Sequence, residues 1–306
     1  MIKVFGHKSP DTDATCAPMA YAWFLKQKGE DAEAFVLGEL NRETKFVLNA
    51  AKVQAPKLLD KLSVGDEVVV VDTNNPEELP NNIGEAVIKT IVDHHKLAGL
   101  TTESPLEVYM KPVGCSSTLV FQLMQRDNIA PAKEITTLML SAILSDTLKF
   151  TSPTTTEEDK KAAEELTKIA GLDIDKHADG MFAAKSDLTG MTARDILYVD
   201  SKVFDFGGKK VRISGVETTK PENAKRLSAE ITKEMEALKS EEKLHEIFFF
   251  IVNILETSSE LLVSNANARE VAKKAFGKDF EGDYMKLPGV VSRKKQMAPA
   301  IEKVVS

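Results

Sequence analysis

Two short segments, Glu67–Asp72 (EVVVVD) and Val87–Asp93 (VIKTIVD), are almost unbroken runs of valine and isoleucine, and each ends on an aspartate. A strand with one face in water alternates apolar and polar residues. A continuous β-branched run is instead a strand covered on both faces, the situation of parallel sheets between helical layers. Ile2–Gly6 and Ala34–Gly38 have the same character. Amphipathic segments at Ala14–Lys28, Arg42–Val53, Ser117–Arg126 and Ala132–Leu148 predict helices, and Thr155 or Thr156 caps another from Glu157 to about Ala170. Strands alternating with helices predict a doubly wound, mainly parallel sheet.

The periodicity breaks at Ser186–Arg194. Beyond it, Ile196–Asp205 and Lys210–Val216 flank Phe206-Gly207-Gly208 as a hairpin. A charged helix follows over about Pro221 to Lys239, then strands at His245–Leu255 and Leu261–Asn265. The chain has 306 residues, enough for two cores. The expected α/β architecture has a first domain over 1–187, a hinge at 188–194 and a smaller domain with a mixed sheet over 195–306.

Charge narrows the functional classes. The formal net charge is -7, whereas a protein that grips nucleic acid through its phosphates is usually basic. Ile247–Val252, extended by Ile254 and Leu255, is too short to span a membrane, and the N-terminus lacks the apolar run of a signal peptide. Cys16 and Cys115 lie far apart and read as buried thiols of a reducing compartment. The expectation is a cytoplasmic protein with neither membrane nor nucleic acid as partner.

Five motifs carry the chemistry. Directly after the first strand, Gly6-His7-Lys8-Ser9-Pro10-Asp11-Thr12-Asp13 offers an imidazole and two carboxylates in one loop. Loops at the carboxyl ends of parallel strands are where such sheets build sites, although this loop taken alone reads first as Asp11 and Asp13 in turn and capping roles with His7 incidental. Asp72 ends one apolar run, where a carboxylate is costly unless paired, metal-bound or folded into an Asx-turn. Val92-Asp93-His94-His95 ends another; adjacent histidines point different ways, so one can hold a metal while the other faces substrate, with Asp93 orienting a neighbouring ring. Asp146 sits near the carboxyl end of an apolar helix, where both burial and the helix dipole disfavour its charge, so a cation partner is the natural explanation. Ser292-Arg293-Lys294-Lys295-Gln296 is a basic run in the other domain, suited to an anionic substrate or simply to solvent. His177 and His245 lie outside these motifs and carry no assignment.

With these elements in this order, the whole chain resembles the family II inorganic pyrophosphatases of the DHH phosphoesterase superfamily. Asp93-His94-His95 marks the superfamily, and the terminal Ser-Arg-Lys-Lys-Gln run is specific to the pyrophosphatases. The resemblance implies that His7, Asp11 and Asp72 hold one metal ion. Asp13, Asp72, His94 and Asp146 hold a second, with Asp72 bridging. It implies catalytic roles for His95, Asp13, Lys202, Arg293 and Lys294, with His95, Lys202, Arg293 and Lys294 on the phosphates and His95 as acid for the leaving group. Relatives often carry His and Glu where this chain has Thr73 and Asn75, and Asn at Ser9; no ligand is lost by these departures.

The family further implies two Mn²⁺ (or Co²⁺) ions per subunit, Mg²⁺ accompanying pyrophosphate, and a homodimer joined through the N-terminal domain. Four aspartates balance two divalent ions, so an anionic substrate needs the cations of the second domain, and the active site belongs in an interdomain cleft. There a metal-bridged hydroxide would attack phosphorus in line, and a hinge would open and close the site. Two other readings are a DHH phosphoesterase acting on polyphosphate or short oligonucleotides, and a non-catalytic metal-binding module. The first usually carries a Gly-Gly-Gly-His segment, where this chain has Gly207-Gly208-Lys209-Lys210.

Overall fold

The valine and isoleucine runs become strands. In the computed structural model, which describes all residues from Met1 to Ser306, they form the centre of the first of two units, Met1–Ala184 and Lys185–Ser306. In chain order the first unit contains β1 (Ile2–Phe5), α1 (Thr12–Gln27), β2 (Ala32–Val36), α2 (Arg42–Ala51), β3 (Lys57–Leu58) and β4 (Glu67–Val71). It continues with β5 (Val87–Asp93), β6 (Glu107–Met110), α3 (Ser116–Arg126), α4 (Lys133–Asp146), α5 (Glu157–Ala170) and α6 (Ile174–Lys185). All pairings are parallel, in the order β3-β2-β1-β4-β5-β6. Val4, Val68 and Val70 are fully buried, as a strand covered on both faces requires. Helix α4 is buried along nearly its whole length, Ile135 to Ser145, and packs on α1. A helix apolar all round belongs inside. Its last residue, Asp146, is thereby held at a fixed point at the end of this buried stretch.

The second unit has α7 (Ala193–Tyr198), β7 (Asp200–Phe206), β8 (Lys209–Thr218), α8 (Pro221–Lys225), α9 (Ser228–Glu241) and β9 (Glu246–Asn253). It ends with β10 (Ser258–Leu262), α10 (Ala266–Phe276), β11 (Tyr284–Pro288) and α11 (Ala298–Val305). Its sheet runs β11-β10-β9-β8-β7; only β8 and β9 are parallel, so the sheet is mixed. Phe248, Phe249 and Phe250 on β9 are all fully buried, so this central strand too is covered on both faces.

Several expectations shift. Ile196 and Leu197 are helical, because Thr192 and Asp195 form a capping box that starts α7, and the strand begins only at Asp200. Residues 188–194 lie inside the second unit. The charged helix is broken after Lys225, where the Ser228 hydroxyl takes the Lys225 carbonyl that helix continuation would use.

Candidate metal centre

The strand order reverses between β1 and β4, the topological switch point at which doubly wound sheets open a crevice beyond their carboxyl ends. The segments leaving β1, β4 and β5 there are His7–Asp13, Asp72 and Asp93–His95. Tight turns hold each in place. A Cβ on Gly6 would lie 2.4 Å from the Ala14 carbonyl oxygen, so only glycine lets the end of β1 sit against the first turn of α1. Asp11 caps α1, its Oδ1 accepting from Ala14 N at 2.9 Å. Its other oxygen faces His7 Nε2 at 3.6 Å. Asp72 adopts the left-handed conformation, φ 67°, which aspartate tolerates better than most residues.

Asp72 lies between two imidazoles. Its Oδ2 is 3.6 Å from His7 Nε2 and its Oδ1 is 3.2 Å from His94 Nε2, while the Ser116 hydroxyl donates to Oδ1 at 2.9 Å. Asp13 is fully buried. It accepts from Ser116 N at 2.6 Å, Ser117 N at 3.1 Å and the Ser117 hydroxyl at 2.6 Å. These amides are the first of α3, so the positive end of that helix faces the carboxylate. His94 donates from Nδ1 to the Val113 carbonyl at 3.0 Å. A carbonyl only accepts, so the ring hydrogen lies on Nδ1 and the Nε2 lone pair is the one that can bind a metal. Asp146 ends α4, and beyond Thr147 three successive residues, Leu148, Lys149 and Phe150, are all left-handed. Each such non-glycine residue costs about 1–2 kcal/mol, so local strain is concentrated beside this carboxylate.

His95 is arranged differently. Its Nδ1 donates to Asp93 Oδ1 at 2.9 Å. Asp93, itself fully buried, also takes the amides of His94 and His95 and the side-chain amide of Asn74. Half-exposed, His95 leaves Nε2 free of this anchor.

The electrostatics are those of a site short of cations. Burial pushes the Asp13 carboxyl up, and repulsion from Asp72 adds to it. Burial likewise pushes Asp146 well up, with Asp13, Asp11 and Asp72 adding to it. Burial opposes charge on His7 and His94, but the carboxylates outweigh it: Asp11 and Asp72 raise His7 to about 9, and Asp72 and Asp13 raise His94 to about 10. The bond to Asp93 raises His95 against the opposing effect of burial.

Donor atoms within 4.8 Å of one another form three groups: His7, Asp11 and Asp72; Asp72, His94 and His95; and Asp13, Cys115 and Asp146. Asp72 belongs to two of them, and Ser116 links it to Asp13. Imidazole nitrogen and carboxylate oxygen suit a borderline-to-hard divalent ion such as manganese. Clustered carboxylates that raise one another's pKa call for such charge. The residues therefore fit a resident metal pair.

In the second unit, Lys202 is exposed on β7, on the same face as Asp200 two residues earlier. Arg293 Nη1 is 2.5 Å from Asp200 Oδ1, and Lys294 is exposed. Gln296 pins the turn that carries them. Its Oε1 accepts from Val291 N and Ser292 N, and its Nε2 donates to the Gly289 carbonyl.

The sequence reading missed the contribution of Val113–Ser117. The only signal is Gly-Cys-Ser-Ser just before a helix, which reads as ordinary capping. It also missed Asn74, and Glu43, whose buried Oε2 accepts from Thr12 and Ser145, neighbours of Asp11, Asp13 and Asp146.

Residues 1–143 match the model of the DHH family N-terminal domain, and residues 179–304 match the DHHA2 domain. A Deinococcus radiodurans protein named "probable manganese-dependent inorganic pyrophosphatase" is 41% identical over 308 residues, covering 99% of this chain and 98% of its own. A Bacillus cereus protein of the same name is 38% identical over 301 residues, covering 98% and 97% respectively. A solved Methanococcus jannaschii structure, described as a "putative family II inorganic pyrophosphatase", superposes with a TM-score of 0.80 at 36% identity, over 99% of both chains.

Proposed function

This chain belongs to the family II, manganese-dependent inorganic pyrophosphatases, and from that premise we propose how its own residues divide the work of splitting pyrophosphate into two orthophosphates. The carrying observation is the Asp72 carboxylate between His7 and His94, one oxygen toward each. It supports a pair of Mn²⁺ (or Co²⁺) ions per subunit, one held by His7, Asp11 and Asp72, the other by Asp13, Asp72, His94 and Asp146. When bound, such a pair acidifies water and neutralises phosphoryl oxygens.

The protein supplies the rest. The amides and hydroxyls of Ser116 and Ser117 keep Asp13 and Asp72 aimed, so that no reorganisation is needed during reaction. Asp93 holds the His95 ring by Nδ1 and favours its protonated form, leaving an Nε2 hydrogen for the departing phosphate. Lys202, Arg293 and Lys294 bind phosphate oxygens. Their need follows from charge: Asp11, Asp13, Asp72 and Asp146 already balance two divalent ions, so a multiply charged anion requires further cations, including Mg²⁺ brought with it. Arg293 must exchange Asp200 for phosphate, which sets a modest competition on substrate binding.

A cytoplasmic homodimer acting on neither nucleic acid nor membranes completes the proposal. Both cysteines are free and buried, no helix is long and apolar enough to cross a membrane, and the edge strand β6 exposes Val108 for a second copy of the first domain. The test is phosphate release at equal Mn²⁺ from pyrophosphate, a linear polyphosphate and a dinucleotide. Pyrophosphate should exceed both by orders of magnitude, and comparable turnover of either rival would defeat the substrate assignment.

A further inference from the structure

We propose that Asp159, on a helix that carries none of the proposed ligands, is a positioning residue for the metal centre: it fixes the Val113–Thr118 segment that orients His94, Asp13 and Asp72. The inference rests on the metal-centre reading above. Asp159 is the third residue of α5 and completes a capping box with Thr156. Capping alone does not account for it. The same box at Thr192 and Asp195 leaves Asp195 exposed, its carboxylate bonded to Thr192. Asp159 is fully buried, a costly place for a carboxylate unless every lone pair is used.

Its surplus bonds all go to one segment. Oδ2 accepts from Gly114 N at 2.8 Å as well as from Thr156 N at 2.8 Å and the Thr156 hydroxyl at 2.6 Å. Oδ1 accepts from the Thr118 hydroxyl at 2.7 Å. Gly114 and Thr118 lie on either side of Ser116-Ser117, so the carboxylate clamps the segment at both ends. The fit is close: a Cβ on Gly114 would lie 2.8 Å from Asp159 Oδ2 and 3.0 Å from Thr147 Cγ2. Between and beside the clamps are the groups that face the metal ligands: the Val113 carbonyl on His94 Nδ1, the Ser116 and Ser117 amides on Asp13, and the Ser116 hydroxyl on Asp72. Shifting this segment by a few tenths of an ångström moves the hydrogen-bond partners of three ligands together, the acceptor of His94 and the donors on Asp13 and Asp72.

The test uses the full chain, freed of metal by chelation and titrated with Mn²⁺ by calorimetry, with thermal melts alongside. Thr118→Val cuts one clamp without touching the cap, Asp159→Asn weakens both clamps, and Thr156→Ala weakens only the cap. Partners that orient metal ligands are worth roughly 10–100-fold in affinity. We expect that loss for Thr118→Val and Asp159→Asn, and a lowered Tm with wild-type Mn²⁺ affinity for Thr156→Ala. Wild-type Mn²⁺ affinity in Thr118→Val overturns the proposal, and so does an equal loss in all three variants, which would be general loosening of the helix. Should Asp159→Asn fail to fold, Thr118→Val decides alone. Absence of Mn²⁺ binding by the wild-type chain would instead defeat the metal-centre reading itself.

Discussion

Replacing Ser117 by alanine removes one hydroxyl that donates to the buried Asp13 carboxylate at 2.6 Å, while leaving both backbone amides on that carboxylate in place. A hydrogen bond to a charged group contributes about 1.5–3 kcal/mol net. It favours the ionised form, the form that binds metal, and it opposes the burial and the Asp72 repulsion that push the Asp13 carboxyl up. Losing it therefore acts mainly on the metal-bound state. At about 1.4 kcal/mol per factor of ten, Mn²⁺ affinity should fall roughly 10–100-fold. Metal-free Ser117→Ala should lose less stability, because Asp13 there relieves part of the loss by taking up a proton. Calorimetric Mn²⁺ titration and melts with and without Mn²⁺ check this. Unchanged affinity, with equal Tm losses in both states, would refute the reasoning.

Three further outcomes follow from the same geometry. Gly6→Ala places a methyl 2.4 Å from the Ala14 carbonyl oxygen; overpacking costs about 1–3 kcal/mol, and Asp11 and Asp13 move with the helix start, so melts and Mn²⁺ titration should both show losses. Arg293→Ala and Lys294→Ala should leave Mn²⁺ affinity intact while lowering pyrophosphate turnover by roughly 10²–10³-fold, as removal of a transition-state donor does, and unchanged turnover in both contradicts their roles. His7 and His94 are raised to about 9 and about 10 in the metal-free protein, so both are protonated near neutrality and must lose a proton to bind metal. Mn²⁺ affinity should therefore climb as pH rises through neutrality, with proton release measurable in buffers of different ionisation enthalpy, and a flat profile would contradict it.

Legibility in the sequence followed the strength of the physical pattern. The strand Val87–Asp93 and the helix Glu157–Ala170 are visible to the residue, because a β-branched run and a capping threonine are local signals. Strand β6 is not: it lies at the sheet edge, half-exposed, and its apolar run, Val108–Met110, is only three residues long. Ile196 and Leu197 read as strand because two apolar residues cannot distinguish strand from helix, and the capping box before them decided. At the site, histidines and aspartates are conspicuous because they end buried apolar runs, where a charged group is costly unless it is paired or metal-bound. Gly114, Ser116, Ser117 and Asp159 act through backbone position and hydrogen bonds over tens of residues of separation, which no local spacing encodes. Asp159 is the clearest case: its sequence context predicts only a helix cap, and its burial against Gly114 is a tertiary fact.

The claim on which the rest depends is that Asp72 divides two ions between its oxygens. Anomalous diffraction at the manganese edge, on crystals of the Mn²⁺-loaded chain, tests it directly. The account predicts two peaks roughly 3.5–4 Å apart, one against His7 and Asp11 and the other against His94, Asp13 and Asp146, with Asp72 touching both. A single peak, or two peaks that leave Asp72 out of either shell, would contradict it.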